Sequence, residues 1–221
     1  MNLKLNLKPK TCHLKPPRGF TVVELVVSTG IIIVILGMVF ASYPRFRARS
    51  SLSALTREVG LLVREAQVFG LAVKEFPQRE AEFPPYGIHT NADNNKEFIL
   101  FGDLVKSGSG ATGARANIYD SGDGCGSKKT ECVRRISIAG PEFVEKICVI
   151  PGGGRGGSEL EELCDIPELN ITFRRPDPEA VIVTDDPAIR YNGAKIYLQS
   201  GKDNREHKII RVWITGQTSI Q

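Results

Sequence analysis

Arg18-Gly19-Phe20-Thr21-Val22-Val23-Glu24-Leu25-Val26-Val27-Ser28-Thr29-Gly30 opens an almost unbroken apolar run that continues to Ser42. The run is long enough to cross a bilayer as a helix, for which roughly 20 apolar residues suffice. Glu24 is the single charge inside it, about a turn from its start. A carboxylate at the centre of such a helix costs about 2.5–3.5 kcal/mol on insertion scales, and less near an end. An acid in this position therefore asks for a function and a partner.

Upstream, Lys4, Lys8, Lys10, Lys15 and Arg18 precede the run with no acid among them. They account for the basic balance of the chain. Of its 29 basic residues, the 24 that follow Gly19 stand against 25 acids. The formal charge of +4 is thus a property of the first residues and is weak evidence for a nucleic-acid partner. A positive segment before an apolar run holds its own end in the cytoplasm. The expectation is a single-pass cytoplasmic-membrane protein with the remainder on the extracytoplasmic side. A conventional secretory signal is the rival, but it needs a shorter apolar core and an A-x-A-like site. Ala41-Ser42-Tyr43 matches such a site poorly.

Downstream, Pro44 removes a backbone donor and is expected to kink the helix or end its first segment. Helical spacing then resumes with Leu52, Leu55, Val59, Leu62, Ala66, Phe69, Val73 and Phe76 on one face, and Arg49, Arg57, Arg64 and Lys74 mostly off it. Pro77 and Phe83-Pro84-Pro85 stop it, so one long helix is expected from Phe20 to Phe76. From Tyr86 the period changes to two. Expected strands are Tyr86–His89, Glu97–Phe101, Arg134–Ile138, Glu142–Ile150, Asn170–Arg174, Ala180–Thr184, Lys195–Gln199 and Lys208–Thr215, bounded by Gly, Pro, Asn and Asp. The turns 91–95 and 201–205 separate strands, the second making a hairpin of the last two. In the final strand Ile210, Val212 and Ile214 should face one way, Arg211 and Trp213 the other. A helix followed by a run of strands reads as α+β, with the amphipathic half-helix packed on an antiparallel sheet.

Gly19-Phe20-Thr21-Val22-Val23-Glu24 resembles the cleavage site of the type IV prepilin family. The resemblance implies that a membrane-embedded prepilin peptidase cuts after Gly19 and methylates the new terminus, Phe20. Residues 1–19 would be a leader, 20–43 a transmembrane and assembly helix, 44–76 its amphipathic continuation, and 77–221 a β-rich head. Glu24 becomes the fifth residue of the mature chain, where it is expected to pair with the Phe20 amine of an adjacent subunit. Further on, Pro85-Tyr86-Gly87-Ile88-His89, Phe98-Ile99-Leu100-Phe101-Gly102-Asp103 and Arg211-Val212-Trp213-Ile214-Thr215-Gly216 are similar in pattern and order to strands of the H-type minor pseudopilins, the GspH/FimT family. These likenesses imply a structural subunit of a type II secretion pseudopilus or a type IV pilus. Its partners would be the peptidase, other pilins or pseudopilins in a helical fibre, the inner-membrane assembly platform and membrane lipid.

Cys12 lies in the expected leader, and Cys125, Cys132, Cys148 and Cys164 lie in the head. An even number in an exported head suggests two disulfides, with three possible connectivities. Joining sequence neighbours, Cys125 with Cys132 and Cys148 with Cys164, is the simplest. Free thiols and a four-thiolate zinc site are the alternatives, although no spacing is that of a zinc knuckle. Gly152, Gly154 and Gly157 fit a dinucleotide fingerprint, but Pro151 and the acids Glu159, Glu161 and Glu162 argue against a phosphate there. Asp120-Ser121-Gly122-Asp123-Gly124 with Glu131 hints at a calcium loop, yet glycines stand at two ligand positions and Cys125 where the turn glycine belongs. The loops at 106–113 and 151–157 are long enough to be functional or disordered. His89 and His207 sit in no catalytic motif, so neither an enzyme nor a cofactor is expected. DNA is the rival partner, through Lys195, Lys202, Arg205, Lys208 and Arg211 with Arg174-Arg175, but Asp203 and Glu206 dilute that patch.

Overall fold

A computed structural model describes residues 19–77, 79–104, 116–120, 124–126, 130–152, 162–185, 189–201 and 203–221. The fold is α+β: one long helix, α1 (Val22–Leu71), precedes two antiparallel sheets. The glycine loop at 106–113 and most of that at 151–157 fall outside the described residues. The chain divides into two compact units after Pro44, inside α1.

In the first unit the helix is apolar on every side. Val22, Ile33, Met38 and Phe40 are all at least two-thirds exposed, and the apolar window is unburied throughout. A helix of this length and composition can cross a membrane. Pro44 lies inside α1 and does not end it.

In the second unit, helix residues Ala48, Leu52, Leu55, Val59, Leu62, Val63 and Ala66 are buried. Their steps of three and four residues make one stripe. The stripe packs into a single core with the inner faces of both sheets: Ile88, Phe98, Leu100, Leu169, Ile171 and Phe173 from one, and Val144, Ile147, Val149, Ile196, Leu198, Ile210 and Val212 from the other. Each fully buried aliphatic side chain contributes about 1.5–3 kcal/mol. This core is what holds the helix to the head. Arg49 adds a surface clamp, donating to Glu206 through Nε and Nη2 at 2.8 and 2.5 Å.

The helix ends at Leu71, short of the expected Phe76. Val73 has left-handed φ (54°), and the chain leaves the helix there. Phe76 is still buried, and its amide donates to the Glu82 carbonyl at 2.8 Å. The Tyr86 hydroxyl pins the exit by donating toward the carbonyls of Lys74 (3.2 Å) and Glu75 (3.0 Å). Burial, helped by the Glu75 charge, pushes that phenol up to about 12. Helical spacing thus identified a side chain that buries, but not the backbone that carries it.

The strands are β1 (Tyr86–Asn91), β2 (Glu97–Gly102), β3 (Cys132–Ser137), β4 (Glu142–Pro151), β5 (Glu168–Phe173), β6 (Ala180–Val183), β7 (Tyr191–Ser200), β8 (Asp203–Trp213) and β9 (Thr218–Ile220). They form not one sheet but two, in the orders β3-β2-β1-β5-β6 and β4-β7-β8-β9. Alternation marks a strand without saying which sheet it joins. β7 and β8 form the expected hairpin, whereas β9 was not expected. Ile214 falls beyond β8 rather than on its inner face. It ties the sheets together instead: its amide donates to Asn192 O at 2.8 Å, and its carbonyl accepts from Ala180 N at 2.7 Å.

Candidate functional site

Thr21 caps α1. Its carbonyl accepts from Leu25 N at 3.1 Å, and its Oγ1 accepts from Glu24 N at 3.2 Å. Thr21-x-x-Glu24 is the capping-box spacing, in which an acid or its amide at the third helical position completes the first turn. The pattern is visible in the sequence as S/T-x-x-E, and the structure shows the Thr21 half of it. Glu24 also places a negative charge at the positive end of the helix dipole. Among the described residues no ion pair or hydrogen bond engages its carboxylate. Gly19 and Phe20 lie just before the cap and are exposed, Phe20 by 75%.

The hydroxyls further along the segment all turn back onto the helix. Ser28 Oγ donates to Glu24 O (2.6 Å), Thr29 Oγ1 to Leu25 O (2.9 Å) and Ser42 Oγ to Met38 O (3.3 Å). A segment facing lipid has no water for its polar groups and must satisfy them internally. The sequence alone shows three hydroxyls in an apolar run. The backbone geometry shows how they are accommodated there.

In the head, disulfides join Cys125 to Cys132 and Cys148 to Cys164. The pairing uses the thiols that a four-thiolate zinc site would need. Cys148, Glu162 and Cys164 do bring their ligand atoms within 4.8 Å of one another, but both sulfurs are spent in the disulfide. Cys132 also belongs to a small apolar cluster with Ile99, Phe101 and Tyr119, which covers the outer face of the first sheet.

The calcium-like stretch is only partly described, since 121–123 lie outside the described residues. Glu131 acts there as a clasp. Its two carboxylate oxygens accept from Leu104 N (3.0 Å) and Asp120 N (2.9 Å), while Asp103 accepts from Asn117 N (2.7 Å). Burial pushes the Glu131 carboxyl up to about 7, with the charges of Asp103 and Asp120 in support and the two amide bonds opposing.

His89 sits in a hydrogen-bonded cluster with Asn170 and Glu168. Its Nδ1 lies 3.0 Å from Asn170 Oδ1, which also accepts from Tyr119 N, and Asn170 Nδ2 donates to Glu168 Oε1 at 2.9 Å. Burial lowers the pKa of this imidazole, opposed by the Asn170 bond and by Glu168 and Glu97. His207 lies beside the Tyr197 ring, with centroids 6.5 Å apart.

Three members of the expected basic patch have described partners. Lys195, expected in it, is 8% exposed and ion-paired with Glu162. Arg211 stacks on Trp213 at 5.2 Å, and Arg175 on Phe83 at 5.9 Å. The side chains of Lys202 and Arg205 lie outside the described residues.

No family model, curated protein or solved structure matches the chain.

Proposed function

We propose that the chain is a minor pseudopilin or pilin, a structural subunit of a type II secretion pseudopilus or type IV pilus, rather than a catalyst. The observation that carries this reading is the capped start of α1. Gly19-Phe20 stands exposed immediately before a helix that is apolar on every side, with a lone carboxylate, Glu24, in its first turn. A peptidase needs an accessible bond, and assembly needs an apolar helix to bury against its neighbours. The compact α+β head supplies a cargo that stays outside the bilayer. In this reading prepilin peptidase cleaves after Gly19 and methylates Phe20. The subunit then leaves the inner membrane through the assembly platform, with its head on the extracytoplasmic side.

Glu24 separates this reading from an ordinary anchor. Cleavage creates a positive amine at Phe20 at nearly the same depth, and methylation leaves that amine protonatable. Opposite charges attract by about 4 kcal/mol at roughly 4 Å with an effective dielectric near 20, before desolvation is subtracted. A single axial offset brings Glu24 of one copy to the Phe20 amine of the next, so the pair would also set register. Glu24→Gln isolates the charge, because glutamine keeps the length and shape of the side chain and leaves the backbone bond of Glu24 N to Thr21 Oγ1 in place. The variant is expected to insert and to be cleaved like wild type, yet to be depleted from sheared fibres. Incorporation equal to wild type at native expression would show that the intermolecular pair is not needed.

A further inference from the structure

β4 is an edge strand of its sheet, and its outer edge is closed by something other than a strand. Val149 N donates to Leu163 O at 2.8 Å and Leu163 N to Val149 O at 3.0 Å, while Ile166 N donates to Ile147 O at 3.2 Å. The segment 162–166 that makes these bonds pairs with the sheet only as an isolated bridge. Two pins hold it: the Cys148–Cys164 disulfide and the ion pair of Glu162 with Lys195, which stands opposite Cys148 on β7. Asp165, with φ of 62°, turns the chain just after the cysteine. Beneath this strap lies Ile147-Cys148-Val149-Ile150, an apolar, β-branched run with no charge. Such an edge, once uncovered, is a template for pairing with another chain.

We propose that the edge of β4 is a latent self-association surface, its occupant β4 of a second copy of this chain, and that the Cys148–Cys164 strap keeps it shut. The geometry restricts the register. Ile147 and Val149 direct their backbone groups outward to the strap, so antiparallel self-pairing sets outward-facing residues opposite one another. The register proposed is the one that places Val149 of one copy against Ile147 of the other and Cys148 against Cys148. That central pair is of the non-hydrogen-bonded type, with Cα atoms about 4.5 Å apart, inside the roughly 4.4–6.8 Å that a disulfide spans. Ile147, Cys148 and Val149 then lie opposite the same three residues of the other copy, with Ile150 opposite Lys146. Disulfide formation in the head therefore keeps this edge closed to a second copy. The inference is independent of the fibre reading.

The test uses full-length Cys164→Ser in detergent micelles beside wild type. In the variant Cys148 has no intramolecular partner. Mild oxidation by copper–phenanthroline with dioxygen should take two electrons and two protons from a pair of Cys148 thiols, joining two copies, with one dioxygen reduced to two waters for every two disulfides formed. Peptide mapping should then find Cys148 linked to Cys148 in the variant and to Cys164 in wild type, a mapping that distinguishes any link through Cys12. Hydrogen exchange at the Val149 amide of the variant, diluted to monomer, should be faster than wild type by about tenfold or more, with Ile196 and Ile210 still protected. No Cys148–Cys148 peptide with Val149 still protected would overturn the proposal. So would loss of protection at Ile196 and Ile210, because the disulfide would then hold the whole head rather than guard one edge.

Discussion

Gly70→Ala is expected to destabilise the head by about 2 kcal/mol, although the same change in a free helix is favourable. In a helix interior alanine is better than glycine by about 1 kcal/mol. At Gly70, however, a Cβ would stand 2.3 Å from the Phe173 carbonyl oxygen and 3.0 Å from Phe173 Cβ. The last turn of α1 meets β5 here with no room for a methyl, and the obstacle is backbone. Overpacking of this kind costs about 1–3 kcal/mol and occasionally more. A collision with a carbonyl belongs at the top of that range, so the clash outweighs the propensity. Gly60 is the control. A Cβ there would approach only Ile220 Cδ1, at 3.2 Å, the end of a flexible side chain. Urea and thermal unfolding of a head fragment beginning at Arg45 should show Gly70→Ala melting lower by about 4–8 °C, with Gly60→Ala near wild type. Equal stability of the two variants would mean that helix and β5 are not packed this closely.

The second large effect is a stability that falls as pH rises. The Glu131 carboxyl titrates near 7 in the folded head and near its ordinary value of 4.5 when unfolded. Between those values the native state holds a proton that the unfolded state has released, so unfolding becomes easier with increasing pH. The contribution is fully present below the unfolded value and is lost through about pH 7, amounting to about 3 kcal/mol. Glu131→Gln removes the titration. It also turns an amide NH2 toward one of the two backbone N–H groups, at a cost of about 1–3 kcal/mol that does not vary with pH. The variant should therefore be less stable than wild type at pH 5 and should close or reverse that gap by pH 8. A gap that stays constant, or widens as pH rises, would show that the buried carboxylate is not strained by its surroundings.

What could be read from the chain without coordinates follows from which signals are local. The membrane-length run, the buried stripe from Leu52 to Ala66, the apolar run of β2 and the alternation of Ile210 and Val212 in β8 are local patterns, and such patterns are written in sequence. The partition of the strands into two sheets depends on pairings between residues far apart, such as Gly87 with Thr172 and Lys195 with Cys148, which no local pattern encodes. The end of α1 was misplaced because Phe76 keeps the helical spacing while Val73 breaks the backbone. Lys195 looked like part of a basic surface because its alternation within β7 does not reveal the strap that buries it against Glu162. At the candidate site, Gly19, Phe20 and Glu24 are singled out by the resemblance of that stretch to a cleavage site, and the Thr21 cap is legible as an S/T-x-x-E pattern. The Glu131 clasp was not, since its partners Leu104 and Asp120 become neighbours only through the fold.

The amino terminus of the protein extracted from its own membranes tests the central claim most directly. Intact-mass and terminal-peptide spectrometry should find a chain beginning at Phe20, its amine carrying one methyl group, with residues 1–19 gone. A chain that retains the leader in a host with an active prepilin peptidase, or one that begins after the apolar run near Tyr43, would contradict it.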